Sequence, residues 1–469
     1  MAEPRDCDLI IRNGLVVTMD PERTVWQQGA VAVAGTAIVA VGPTTEILSH
    51  WRAPSVLDAG GAPVHPGFID AHYHVPNHLT RGVFPEAAVS SNYFASYALW
   101  YDRMDEEDEH AAGLCAGLEM LRSGVTCFME PGTVFATAAV AASAEAVGIR
   151  ASLCEPFLSD AGYNDTLSRM RRVLPDTARC LRTLGQELWR NRDDTALVRG
   201  HVGLFGSGSA SDELTRSASA LAKEEGAVFT QHQNTRVSEV QAQEAMVGGT
   251  HPLLHLAELG ALGPHCSFTH MNLIRDDEAP VVLDSGMSVI WCAAASMNWG
   301  FGGTGRRRPH ADFHRAGVPV ALGVDVPKFG HDTGPLAAYL LSRDHGDSAP
   351  LGIEDIFEMA TLRGARAVGM ADRIGSLEPG KRADIVIRTM ADASAQPGWS
   401  PLQNILLASR SRSIDTVLVD GRIVLRHGCS TVLDEAAVYD RARQRVTRLA
   451  AAVGLAPAST WPVRSQRAC

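Results

Sequence analysis

Pro66-Gly67-Phe68-Ile69-Asp70-Ala71-His72-Tyr73-His74 is a short apolar run that ends in two histidines, two residues apart. Side chains alternate between the faces of a strand, so i and i+2 project the same way and both imidazoles can reach one ion. With 17 histidines in 469 residues, a chance His-x-His is common, and the motif decides nothing until its surroundings are read. Those surroundings are an alternation of short apolar runs with Ala- and Leu-rich stretches of helical period. The runs lie at 67–72, 125–130, 150–154, 198–205, 228–232, 267–270, 288–292 and 318–325, with helical segments at 107–123, 133–147, 212–225, 276–285 and 336–343. A βαβα order of this kind predicts a parallel sheet covered by helices, and eight strands predict a (β/α)₈ TIM barrel in the α/β class.

Three more strand ends carry ligand chemistry. His232 ends the fifth run, His270 the sixth and Asp325 the eighth, all at the carboxyl face where barrel enzymes place their sites. Packing alone does not explain His72, His74, His232, His270 and Asp325 converging there.

The two chain ends differ from the middle. Asp8-Leu-Ile-Ile-Arg-Asn-Gly14 runs into Leu15-Val-Val-Thr18, and Val31-Ala-Val-Ala34 precedes Ala37-Ile-Val-Ala-Val41. Ala383-Asp-Ile-Val-Ile387, Thr416-Val-Leu-Val-Asp-Gly421 and Arg422-Ile-Val-Leu-Arg426 repeat the style near the other end. The expected organisation is a small composite β-sandwich domain from 1–62 and 371–469 around a catalytic barrel at 63–370.

Charge and composition narrow the partners. A formal net charge of −11 disfavours nucleic acid, and Arg306-Arg307-Arg308 reads as a solvated loop. No apolar run approaches the ~20 residues of a membrane span, and Glu3, Asp6 and Asp8 stand where a signal peptide would be basic. A cytoplasmic protein with no nucleic-acid or membrane partner is expected. The nine cysteines include no Cys-x-x-Cys pair and read as reduced thiols.

The opening Pro66–His74 motif, with Arg81-Gly82 after it, resembles the start of the barrel in the cytosine deaminase, guanine deaminase and triazine hydrolase branch of the amidohydrolase superfamily. Arg373-Ile-Gly-Ser-Leu-Glu-Pro-Gly-Lys-Arg-Ala-Asp384, followed by Val417-Leu-Val-Asp-Gly-Arg422, is similar to the return of that branch to its sandwich. The resemblance implies a metal-dependent hydrolase of carbon–nitrogen bonds other than peptide bonds. It makes His72, His74, His232 and Asp325 the metal ligands, and has His270 complete the shell or hold the attacking water. Asp325 would take the proton of that water and pass it to the leaving group, and His270 would orient the attack and steady the developing oxyanion. Binuclear relatives bridge two ions with a carboxylated lysine at the end of strand four. The three lysines here, Lys223, Lys328 and Lys381, all lie elsewhere, so one divalent ion is expected. Zinc is the default, and iron, cobalt and manganese suit the same ligands. The expected partners are a small-molecule substrate and water, in a homo-oligomer.

Three positions depart from the deaminase pattern. Thr235 stands where a glutamate protonates the substrate ring, Phe205 where a histidine faces the substrate, and His270 is followed by Met-Asn-Leu273, without the second histidine of the usual pair. These departures predict that ring recognition has been lost and that the substrate is an open-chain amide, urea or (thio)carbamate such as a phenylurea. The alternatives are an aminohydrolase or dehalogenase of a purine, pyrimidine or s-triazine, and a metal-free binding barrel. His78, Thr235, Ser296 and Asn298 are the expected substrate-binding residues, and Trp291 and Trp299 are candidates for an apolar wall.

Overall fold

The computed structural model describes residues 3–84, 93–161, 167–301, 309–326, 328–344, 350–455 and 461. Arg306-Arg307-Arg308 lies outside the described residues, as does most of the glycine-rich stretch before it.

The barrel strands are β1 (Phe68–Asp70), β2 (Val125–Met129), β3 (Arg150–Leu153), β4 (Val198–Gly200 and Val202–Gly206), β5 (Phe229–Gln233), β6 (Cys266–His270), β7 (Ser288–Trp291) and β8 (Val320–Leu322). Every pairing between neighbours is parallel. Strand β4, expected as one run, is broken at His201. Its first half pairs with β3 and its second with β5, while His201 donates its backbone N–H to Leu153 across the break. The ring closes between last and first strands, where Ala71 donates to the Leu322 carbonyl at 2.9 Å and Asp325 donates to that of His72 at 2.8 Å. The eight-stranded α/β barrel is therefore present.

Several boundaries differ from expectation for local reasons. β1 ends at Asp70, two residues before the first histidine, yet Ala71 and Tyr73 continue to bond to the flanking strands, Tyr73 to Met129 at 3.0 Å. The alternation that brings His72 and His74 to one side therefore persists beyond the regular strand. The helix expected over 133–147 begins only at Thr137. Ahead of it, Glu130 accepts the backbone N–H groups of Gly132 and Thr133, and Glu109 accepts those of Phe135 and Ala136, so the chain crosses the barrel mouth before turning down.

Strands from both chain ends share one nine-stranded sheet. Pro63–Pro66 lies in it between Leu9–Val17 and Ile385–Arg388, pairing antiparallel with the latter. The helix Glu435–Ala452 leaves this sheet and packs on the barrel helix Glu106–Arg122. Arg445 meets Asp105 and Asp108 there, and Arg448 meets Asp108. Among the described residues no helix is long and apolar enough to cross a membrane. The eight described cysteines are free thiols.

Barrel and sheet meet at a buried ion cluster. Arg150, only 2% exposed at the start of β3, grips Asp384 through Nε and Nη2 at 3.0 Å each and reaches Asp420 at 3.0 Å. Removing one partner of a buried pair leaves the other charge uncompensated, which costs about 3–5 kcal/mol. Arg150→Ala is expected to lose about that much in urea unfolding; a loss below about 1 kcal/mol would show that the pair does not hold the two parts together.

Candidate metal centre

At the carboxyl end of the barrel, β1, β5, β6 and β8 bring five buried side chains into one cluster. The Nε2 of His74 lies 3.2 Å from that of His72 and 3.3 Å from that of His232. Asp325 Oδ1 is 3.1 Å from His74 Nε2 and 3.6 Å from His72 Nε2. The ligand atoms of His72, His232 and His270 fall within 4.8 Å of one another, as do those of His72, His74 and Asp325.

The rings of His232 and His72 are fixed from behind. His232 Nδ1 is 2.8 Å from the Phe205 carbonyl; as the donor in that contact it leaves Nε2 a bare lone pair facing the cluster. His72 Nδ1 bonds Thr269 Oγ1 at 2.9 Å. Asp70 ties the turn after β1 to the turn after β8. Its Oδ1 accepts from the His72 and Val324 backbones, and its Oδ2 pairs with His331 Nδ1 at 2.8 Å. Gly206, at φ +80° where β4 ends, allows the backbone to pass against the His232 carbonyl, where a Cβ would collide.

His270 and Asp325 both adopt left-handed backbone, with φ of 75° and 69°. Such conformations cost of order 1–3 kcal/mol each and persist where the surroundings over-determine them. His310 Nε2 holds the His270 carbonyl at 2.6 Å, and Asp325 is clamped between His72 and His74 by backbone hydrogen bonds. This twist turns both side chains toward the cluster.

Protonation suits a cation. Burial pushes the imidazoles of His72, His232 and His270 down to about 3, so each is neutral at physiological pH. Burial alone would raise the Asp325 carboxyl. Hydrogen bonds from His72 and His74 instead hold it well below the usual carboxylate range. Neutral imidazole lone pairs and an ionised carboxylate, gathered in threes within 4.8 Å, fit a single divalent ion better than they fit each other. The lysine positions agree: Lys223 lies in the helix Asp212–Glu224, Lys328 follows β8, and Lys381 bonds the Ala371 carbonyl at 2.9 Å, so none stands at the end of β4.

Over the cluster opens a cavity of about 680 Å³, counting the space open to solvent. His74, His232, His270 and Asp325 form its floor, and Tyr97, Tyr101, Phe157, Phe205, Trp299 and Phe301 are the aromatic residues of its wall. Of the four expected substrate-binding residues, Thr235 lines it, and its buried Oγ1 has no protein partner among the described residues. The other three do not. The 3₁₀ turn Val75–Thr80 carries His78 behind the site, where its Nδ1 lies 2.8 Å from the Tyr73 hydroxyl. Ser296 donates to Asn272 at 3.1 Å, and Asn272 in turn donates to the Thr235 carbonyl, so it supports that loop from below. Asn298 sits on the helix Ala293–Trp299 outside the lining. Trp299 lines the cavity, whereas Trp291 stacks on His310 with centroids 4.6 Å apart and belongs to the packing.

Tyr97, Tyr101, Phe157 and Glu239 were not anticipated. Tyr97 and Tyr101, four residues apart on the helix Tyr93–Arg103, carried an i,i+4 signal, but nothing local linked that helix to the mouth.

The chain matches the family model described as the amidohydrolase family over residues 64–424. It is 28% identical over 448 residues to a 5-methylthioadenosine/S-adenosylhomocysteine deaminase of Syntrophobacter fumaroxidans, covering 93% of this chain and 97% of the relative. It is 28% identical over 433 residues to a 5'-deoxyadenosine deaminase of Methanothermobacter thermautotrophicus, covering 90% and 95%. An adenosine deaminase of Xanthomonas campestris with bound zinc superposes with a TM-score of 0.83 at 26% identity, over 96% of this chain and 100% of that one. A zinc-bound atrazine chlorohydrolase of Arthrobacter aurescens, at 19% identity and a TM-score of 0.81 over 93% and 100%, shares the fold. With the cluster at the barrel mouth and the match over most of its length, the chain belongs to the amidohydrolase family, the metal-dependent hydrolases of carbon–nitrogen bonds other than peptide bonds.

Proposed function

We propose that this protein is an aminohydrolase that removes the exocyclic amine of a nitrogen heterocycle as ammonia, with an adenine nucleoside as the first substrate to test. One observation carries the reading: a slot walled by aromatic rings stands directly over the ligand cluster, in a chain 28% identical over 93% of its length to a protein named as a 5-methylthioadenosine/S-adenosylhomocysteine deaminase. Flat faces of Tyr, Phe and Trp suit a planar ring, which they bind by stacking and burial. This replaces the open-chain urea or carbamate expected from Thr235, Phe205 and Leu273. Those departures change which side chains read the ring, while the wall still offers a ring its surface.

Four ligands, His72, His74, His232 and Asp325, would hold one divalent ion, with zinc favoured by the zinc-bound neighbours. When bound, the ion polarises water and brings its pKa toward roughly 7. Asp325 is ionised and takes the proton of the attacking water, then hands it to the departing amine. His270, fixed by its strained backbone and by His310, faces the point of attack and orients it.

Matched panels test the reading. Ammonia release from adenosine, 5'-deoxyadenosine, guanine, cytosine and a triazine is set against amine release from aryl ureas, thiocarbamates and anilides. An adenine nucleoside is expected to exceed every open-chain compound by about 100-fold or more in kcat/KM, roughly 2.7 kcal/mol of transition-state preference. Turnover of a urea or anilide without ammonia release from any ring would reverse the conclusion.

A further inference from the structure

We propose that Glu239 supplies the ring-side proton in this site, in place of a glutamate at position 235. The inference rests on the deaminase reading above and adds a residue to it.

Deaminating a ring needs two proton-handling groups on opposite sides of the reacting carbon. Among the described residues lining the cavity, two are carboxylates, Asp325 and Glu239. Asp325 is committed to the ligand cluster. Thr235 cannot exchange a proton at neutral pH. Tyr101 also lines the cavity, but burial raises its phenol well above the ordinary value and makes it a poor donor. Glu130, at the end of β2, is turned away to hold Gly132 and Thr133. Glu239 remains.

Helix geometry explains how a residue four positions along the chain can serve the same point. Glu239 lies in the first turn of the helix Val237–Met246, whose N-cap is Arg236. Thr235 lies just before the N-cap, outside the helix, and side chains in a first turn tilt toward the helix N-terminus. Glu239 is thus directed back over the turn that carries Thr235, and both line one cavity with His232. At the third helical position a glutamate ordinarily folds back to cap the N-cap backbone. Here Glu239 accepts from Arg236 Nε at 2.9 Å and lines the cavity.

The proton balance closes. The water oxygen forms a bond to the amine-bearing carbon as the Glu239 carboxylate, paired with Arg236, takes one water proton and gives it to the adjacent ring nitrogen. Asp325 takes the second water proton and passes it to the amine, and the carbon–nitrogen bond breaks to release ammonia, which leaves a carbonyl and a ring N–H. Both residues end as they began, and no redox partner is needed.

The test compares wild type, Glu239→Gln, Thr235→Glu and Thr235→Glu/Glu239→Gln for ammonia release, KM, metal content and thermal melting. Glu239→Gln is expected to lower kcat by about 100-fold or more, with KM within about threefold and metal content unchanged. The double variant, with its carboxyl group moved to position 235, should regain at least about tenfold. Thr235→Glu alone should be slower than wild type, because two carboxylates then share the site. If Glu239→Gln fails to fold, Glu239→Asp carries the same comparison, with a loss in kcat at unchanged metal content. A Glu239→Gln enzyme within about threefold of wild-type kcat, or a double variant no faster than Glu239→Gln, would reduce Glu239 to a partner of Arg236 and overturn the proposal. Wild type that releases no ammonia from any ring overturns the deaminase reading itself, an outcome visible before any variant is made.

Discussion

His72→Ala and His232→Ala are each expected to lose both bound metal and turnover while the protein stays folded. Each removes one Nε2 from a set that meets within hydrogen-bond length. Replacing a residue that merely supports a ligand already costs 10–100-fold in metal affinity, and losing the ligand itself costs more. Because the ion supplies several kcal/mol of transition-state stabilisation, turnover should fall by at least about 10³-fold. Folding should survive, because the hydrophobic core lies in strands and helices below the mouth, and the His232 change forfeits one hydrogen bond, to Phe205, worth about 1 kcal/mol. Metal analysis, ammonia release and a circular-dichroism melt on the same preparations separate these effects. Normal activity in either variant would remove that histidine from the ligand set.

Asp325→Asn should keep the fold and part of the metal but lose about 10²–10⁴-fold in kcat. Asparagine offers an oxygen to a cation yet cannot take up a proton. It also tolerates the left-handed backbone that Asp325 occupies at φ 69°, so the change tests proton transfer without adding strain. Alanine would confound the two. A loss under about tenfold, roughly 1.4 kcal/mol, would place the shuttle elsewhere.

The ligand cluster was legible because its residues sit at strand ends, where a period of two and the polarity of a parallel barrel translate directly into position. The barrel count was legible for the same reason. The edges of strands were harder to read. The run 318–325 reads as one strand, but regular pairing stops at Leu322, and the isolated Tyr73–Asp325 bridge continues it past Gly323. His78 looked functional through its nearness to His74, yet one 3₁₀ turn is enough to place it behind Tyr73. The cavity wall was largely illegible, because it comes from segments whose own periodicity says nothing of which loop they cover. Tyr97 and Phe157 are tertiary facts. The open-chain substrate expectation leaned on a missing glutamate at 235 and gave no weight to Glu239, four residues on, which lines the same cavity.

Ammonia release from an adenine nucleoside, followed as the protein is stripped of metal and reloaded with zinc, tests the account most directly. The account predicts about one equivalent of metal per chain in active protein, with activity falling in proportion to metal and returning on reloading. Undiminished ammonia release from protein holding less than about 0.2 equivalents would contradict it.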